Sequence, residues 1–213
     1  MKKNTKIILT TLILPWLIAE LLTGSSPPLE YFNLITFLFN IFLYGCWVLL
    51  IREAKVKWNL QWSIIFLVLA YWILEEWLTT KALFNINWAD VGIYANYKTY
   101  FGILFPWSIV LLTFHATVST LIPLLIVDLT WPEFQKKSLL NKNWIIYSFA
   151  CLISVSLVGL SFMGTIINNK MIPYYPNPLL LIWSFFLILF FMVMIVDVIT
   201  VGEGSQPLGL EDG

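Results

Sequence analysis

The sequence predicts an all-α integral membrane protein, a bundle of about six transmembrane helices, on three observations. Hydrophobic residues make up 60% of the 213-residue chain, and its mean hydropathy is +0.84. Charged residues amount to 11%, less than half of the quarter usual in soluble domains. The apolar residues gather in long runs, whereas a closed barrel shows alternating segments of about ten residues. This composition excludes a soluble enzyme and a disordered chain. It also excludes a nucleic-acid partner, which needs a basic face that a net charge of zero does not supply. The lipid bilayer is the expected environment, and two cysteines are too few for a disulfide framework.

A spanning helix needs roughly 20 mostly apolar residues, and six runs approach that length: 7–22, 32–51, 60–78, 102–127, 144–167 and 179–199. The first is short, carries Pro15 and Glu20, and follows Lys2, Lys3 and Lys6. That basic start resembles a signal peptide, but no small-residue cleavage site follows and Glu20 breaks the apolar stretch, so the run reads as a retained helix. The third ends in WILEEWLTT. The fourth is long enough to tilt and holds Pro106 and Pro123. Cys46 and Cys151 fall inside the second and fifth runs as small apolar packers. No internal repeat or soluble domain interrupts residues 1–201, which read as a single domain, and the longest loop, 79–101, has about 23 residues. The polar, acidic, Gly-rich tail 202–213 reads as a disordered end or an expression remnant.

Lys and Arg counts predict the orientation. The amino terminus carries three, the loop after the second run three (Arg52, Lys55, Lys57) and the loop after the fourth run three (Lys136, Lys137, Lys142). The opposite side carries Lys81, Lys98 and Lys170. Nine against three predicts a multi-pass membrane protein with both termini cytoplasmic.

Each charge within a span costs roughly 2.5–3.5 kcal/mol on insertion scales, so each needs a reason. Glu20 falls near the outer end of the first helix, and Glu75 and Glu76 near the outer end of the third. His115, the only histidine, falls on the fourth. Helical rise puts His115 some 15–20 Å below the outer end, deeper than the glutamates unless the Pro106 kink or a tilt closes the gap. Neighbouring Glu75 and Glu76 point about 100° apart on an α-helix. One is expected to face the interior and the other to pack towards Lys81 or a polar loop. Two carboxylates this close suit a general base or a proton carrier, and equally a buried polar contact between helices. Ser108, His115 and Ser119 form a narrow polar stripe. On the outer side TGSSPP (23–28) and KALFNINWAD (81–90), the latter with Lys81 and Asn85, can roof the carboxylates, or can be interfacial loops with Trp77 and Trp88 as an aromatic belt. Arg52 is expected as a positive-inside anchor, with Asp128 as a potential partner. A single His excludes the three-His zinc site; a Glu/Glu/His site stays open but is not indicated by spacing, and no haem, flavin or nucleotide fingerprint is present, so no cofactor is expected.

The segments AELLTGSSPP, LYGCWVLLIREAKVKW, YWILEEWLTTKALFN and TFHATVSTLIPLLIVDL, in this order, resemble a group of uncharacterised bacterial and archaeal membrane proteins over about the first 135 residues. A more partial resemblance is to the CAAX-protease and bacteriocin-processing family of intramembrane proteases. That family has a Glu-Glu pair followed by Arg, then Phe-x-x-x-His, then a further His with Asn or Asp. Glu75 and Glu76 match the pair and His115 the first His. Thr80 stands at the Arg position with Lys81 beside it, Leu111 replaces the Phe, and no second His exists; Asp197 is the nearest counterpart to the last polar residue. The resemblance implies a glutamate-dependent intramembrane hydrolase with Glu75, Glu76 and His115 as catalytic residues.

Glu20, Ser119, Lys81 and Asn85 are the accompanying substrate- or ion-binding candidates. A small carrier or channel using the same glutamates for a cation or proton remains a second reading, and a non-catalytic membrane scaffold a third. The partner is then a hydrophobic substrate or a membrane protein.

Overall fold

The computed structural model describes residues 3–23, 33–167 and 170–201. The expectations for the 24–28 part of the outer turn and for the 202–213 tail lie outside the described residues, as does Lys2. Six helices run along the described chain: α1 (Lys3–Leu22), α2 (Leu34–Lys57), α3 (64–79, comprising Ile64–Trp72 and Ile73–Thr79), α4 (Phe105–Thr130), α5 (Lys142–Phe162) and α6 (Pro178–Val201). Five of them are long and apolar enough to cross a membrane. The exception is α3.

The sequence explains where the helices begin. The Asn33 side chain accepts from the Ile35 amide at 2.9 Å, and Asn141 accepts from Trp144 at 3.0 Å. These side chains satisfy amides that have no partner within the first helical turn. Asn177 does the same for Leu179 at 3.0 Å, directly before Pro178, where a missing N–H costs nothing.

α3 begins four residues after its apolar run does and ends one residue past it, each for a local reason. Residues 58–63 form turns, with Asn59 at a positive φ of 49°. After Thr79 the chain turns through Lys81 at φ 61°, and Lys81, Ala82, Leu83, Phe84 and Asn85 are all buried. The loop after α3 therefore sits within the protein over the helix end.

The expectation of an all-α chain is corrected at one place. Residues 164–167, assigned from sequence to the fifth helix, form strand β1 (Gly164–Ile167), antiparallel to β2 (Lys170–Pro173), with Gly164 opposite Pro173. A Cβ at Gly164 would overlap the Ile172 carbonyl and the Tyr174 amide, so this strand start requires glycine.

Packing forms two apolar clusters separated by α3. Val68 and Tyr71 belong to one, with Trp16, Tyr44, Trp47 and Leu152. Trp72, Ile73 and Trp77 belong to the other, with Leu83, Phe84 and Trp107. Trp77 is buried against Trp72 and Phe84, not placed in an interfacial belt. α6 leaves Trp183, Phe186, Phe190 and Val193 exposed, a surface suited to lipid.

At the other end of the bundle, buried Arg52 donates to Glu53 at 3.0 Å and to the carbonyl of Phe134 at 2.7 Å. Glu53 accepts from Ser138 and from the Leu139 and Leu140 amides. The pair ties α2 to the α4–α5 connection. Arg52 is thus a buried clasp, and Asp128 pairs with Lys55 instead, at 2.8 Å.

Candidate active site

Four of the helices change from α to π geometry for one turn or slightly more, and those turns carry the polar residues. Glu20 lies in Leu17–Leu22 of α1 and Tyr44 in Ile41–Gly45 of α2. Glu75 and Glu76 lie in Ile73–Thr79 of α3, and His115 and Ser119 in His115–Leu121 of α4. Such bulges are rare and concentrate at functional sites. Two of them neighbour prolines, Pro15 before the first and Pro123 after the last. A proline removes the amide that closes a helical turn, which makes a local change of register cheaper.

The consequence is greatest in α3. The Thr80 amide bonds the Glu75 carbonyl, five residues back, at 2.8 Å. Both glutamates of this widened turn reach one imidazole. His115 Nδ1 lies 2.9 Å from Glu75 Oε2, and His115 Nε2 lies 2.7 Å from Glu76 Oε1. The expected division, one carboxylate inward and one towards Lys81, is therefore corrected. The expected depth gap closes as well, because α3 ends beneath a buried loop and α4 starts only at Phe105.

All three side chains are buried: Glu75 is 1% exposed, His115 2% and Glu76 5%. Thr80 donates to Glu76 Oε2 at 3.1 Å, and Ser119 Oγ lies 3.3 Å from His115 Nδ1. Tyr44 stacks on the imidazole, with ring centroids 6.1 Å apart and planes at 14°, and its hydroxyl donates to Glu20 at 2.7 Å. Tyr71 meets the same ring edge-on. Glu20 thus joins the cluster through Tyr44.

Lys81 and Asn85 do not join it. Lys81 Nζ donates to the Leu160 carbonyl at 2.7 Å, and burial holds its ammonium below the usual lysine range. The Asn85 amide donates to Thr165 Oγ1 at 2.9 Å, fastening the loop to β1. Both are structural contacts of the roof. Sequence reasoning passed over Tyr44, and named Thr80 only as standing at the Arg position of a motif, without a role in the site. Tyr44 carries a hydroxyl within an otherwise apolar run, and Thr80 follows Glu76 by one helical turn; those were the available signals.

The chemistry follows from counting donors and charges. A neutral imidazole has one N–H, yet both ring nitrogens face carboxylate oxygens. With imidazolium the cluster sums to one negative charge, which is costly in a buried setting without a further proton or cation. Neither glutamate oxygen of residue 75 has a hydrogen bond of good alignment among the described residues; the Oε2–Nδ1 contact is close but off-line. The arrangement is therefore able to take up a proton or a cation.

Fold and site together define a mostly helical protein of the membrane-spanning kind, with a buried Glu–His–Glu cluster. No family model matches the chain, and no curated protein or solved structure does either.

Proposed function

We propose that the chain is a glutamate-dependent intramembrane hydrolase in a prokaryotic plasma membrane. One observation carries the reading: His115 lies within 2.9 Å of Glu75 and 2.7 Å of Glu76, on separate ring nitrogens. One glutamate takes the proton of an attacking water, and the imidazole stabilises the negative charge that develops on the substrate oxygen. Burial among apolar side chains strengthens both interactions. A hydrophobic substrate suits the surroundings. Trp77, next in sequence to Glu76, forms one wall of a cavity of about 530 Å³ with Leu180, Trp183 and Leu187, which none of the three cluster residues lines.

In this reading all six helices cross the bilayer and both termini are cytoplasmic. The Arg52 clasp then lies at the cytoplasmic end and the β-hairpin at the outer end. The test is hydrolysis of fluorogenic hydrophobic peptides by the purified chain in lipid vesicles. Turnover that disappears in Glu75→Gln or Glu76→Gln supports the reading. Cation or proton flux without turnover would favour the carrier instead, because the same negative cluster suits a transported cation. Neither activity in folded protein would leave the cluster as a helix-joining contact.

A further inference from the structure

We infer that Glu75, Glu76 and His115 form a binding site for a divalent first-row metal ion. One ligand atom from each of the three residues can be chosen so that all lie within 4.8 Å of one another. Spacing along the chain does not reveal this, because the residues belong to two helices, in a π turn of each. A second observation points to a ligand. Glu75, a residue 1% exposed, has no aligned hydrogen bond to either oxygen among the described residues, and its nearest contact is His115 Nδ1, 2.9 Å from Oε2. Buried carboxylate oxygens ordinarily have partners.

Charge supports a divalent ion. Two carboxylates and a neutral imidazole carry two negative charges, which one divalent cation cancels in a site that cannot hold net charge cheaply. Donor type narrows the metal: two oxygens and one imidazole nitrogen suit zinc or manganese. Three protein ligands also leave a coordination position open, as catalytic sites do. Ser119 supplies the outer support. Nδ1 faces Glu75 Oε2 at 2.9 Å and the Ser119 hydroxyl at 3.3 Å; with Glu75 drawn onto the metal, Ser119 holds that nitrogen's proton and leaves Nε2 to the metal, the arrangement in which a ligating histidine is oriented by its other nitrogen.

The inference deepens the hydrolase reading and takes its catalytic meaning from it, but the two fail separately. The full chain, purified in detergent and stripped with a chelator, is dialysed against zinc or manganese, and bound metal is measured by mass spectrometry. We expect a single ion per chain in the parent and in the Glu133→Gln control, whose carboxylate is exposed and pairs with Lys3. Glu75→Gln and Glu76→Gln should lose it. Ser119→Ala keeps all three ligands, and should bind roughly 10–100-fold more weakly. If a glutamine variant fails to fold, the parent and Ser119→Ala still decide the matter. Parent protein that retains neither metal, or glutamine variants that retain as much as the parent, would overturn the site. Hydrolysis undiminished by the chelator overturns the metal and leaves the hydrolase. Bound metal without hydrolysis does the reverse.

Discussion

His115 Nε2 and Glu76 Oε1 stand 2.7 Å apart, joining the π turn of α4 to that of α3 in the buried centre of the protein. Both residues lie in turns that depart from the regular α-helix, and such departures suggest where substitution will be felt.

Gly45 is the first such place. A Cβ there would overlap the Leu12 carbonyl oxygen, so glycine sets the close approach of α2 to α1 beside Tyr44. We expect Gly45→Ala to destabilise the protein by about 1–3 kcal/mol, the usual range for overpacking. Thermal unfolding in detergent measures it.

The Arg52 clasp should be sensitive to loss of its charge. Arg52→Met keeps much of the volume but leaves Glu53 buried without its cation. Breaking a buried pair in this way costs roughly 3–5 kcal/mol. Arg52→Lys should recover only part of this, because a single ammonium cannot reproduce the fork that reaches Glu53, Phe134 and Lys137. Unfolding of the two variants side by side checks the order.

Lys81 provides a pH test. Burial lowers the folded-state value of its ammonium, so the unfolded chain holds the proton to higher pH than the folded one. Stability therefore rises with pH between the folded value and the ordinary 10.5. Below the folded value the cost of burying the charge is fully present. We expect the difference in melting temperature between Lys81→Met and the parent to shift in the parent's favour as pH is raised into that window.

Topology is open to direct measurement. Reporter fusions in the 58–63 turn and in the 86–99 stretch should give cytoplasmic and outer signals respectively. Equal signals from both would mean that α3 does not cross the membrane.

The architecture was legible in the sequence where composition dominates. Five apolar runs became helices of nearly the expected extent because nothing but helix satisfies a backbone in lipid. The errors fell where local chemistry competes with hydropathy. Residues 164–167 read as the end of a helix, yet Gly164 and the β-branched residues after it form a strand. Lys81 read as a site residue because it closely follows the glutamate pair in the outer loop, yet it bonds the Leu160 carbonyl, a backbone group that no side-chain pattern reveals. Glu75, Glu76 and His115 were recognisable as charges in costly positions. Their convergence was not, because π turns leave no clear mark on an apolar helix.

The most direct test of the central claim compares parent, Glu75→Gln and Glu76→Gln for hydrolysis of a hydrophobic peptide in lipid vesicles, with thermal stability recorded for each. Glutamine keeps the size and part of the hydrogen bonding, so the variants should remain folded. If a glutamate is the base, turnover in its variant should fall by roughly 10²–10⁴-fold. Parental turnover in both folded variants would contradict the account.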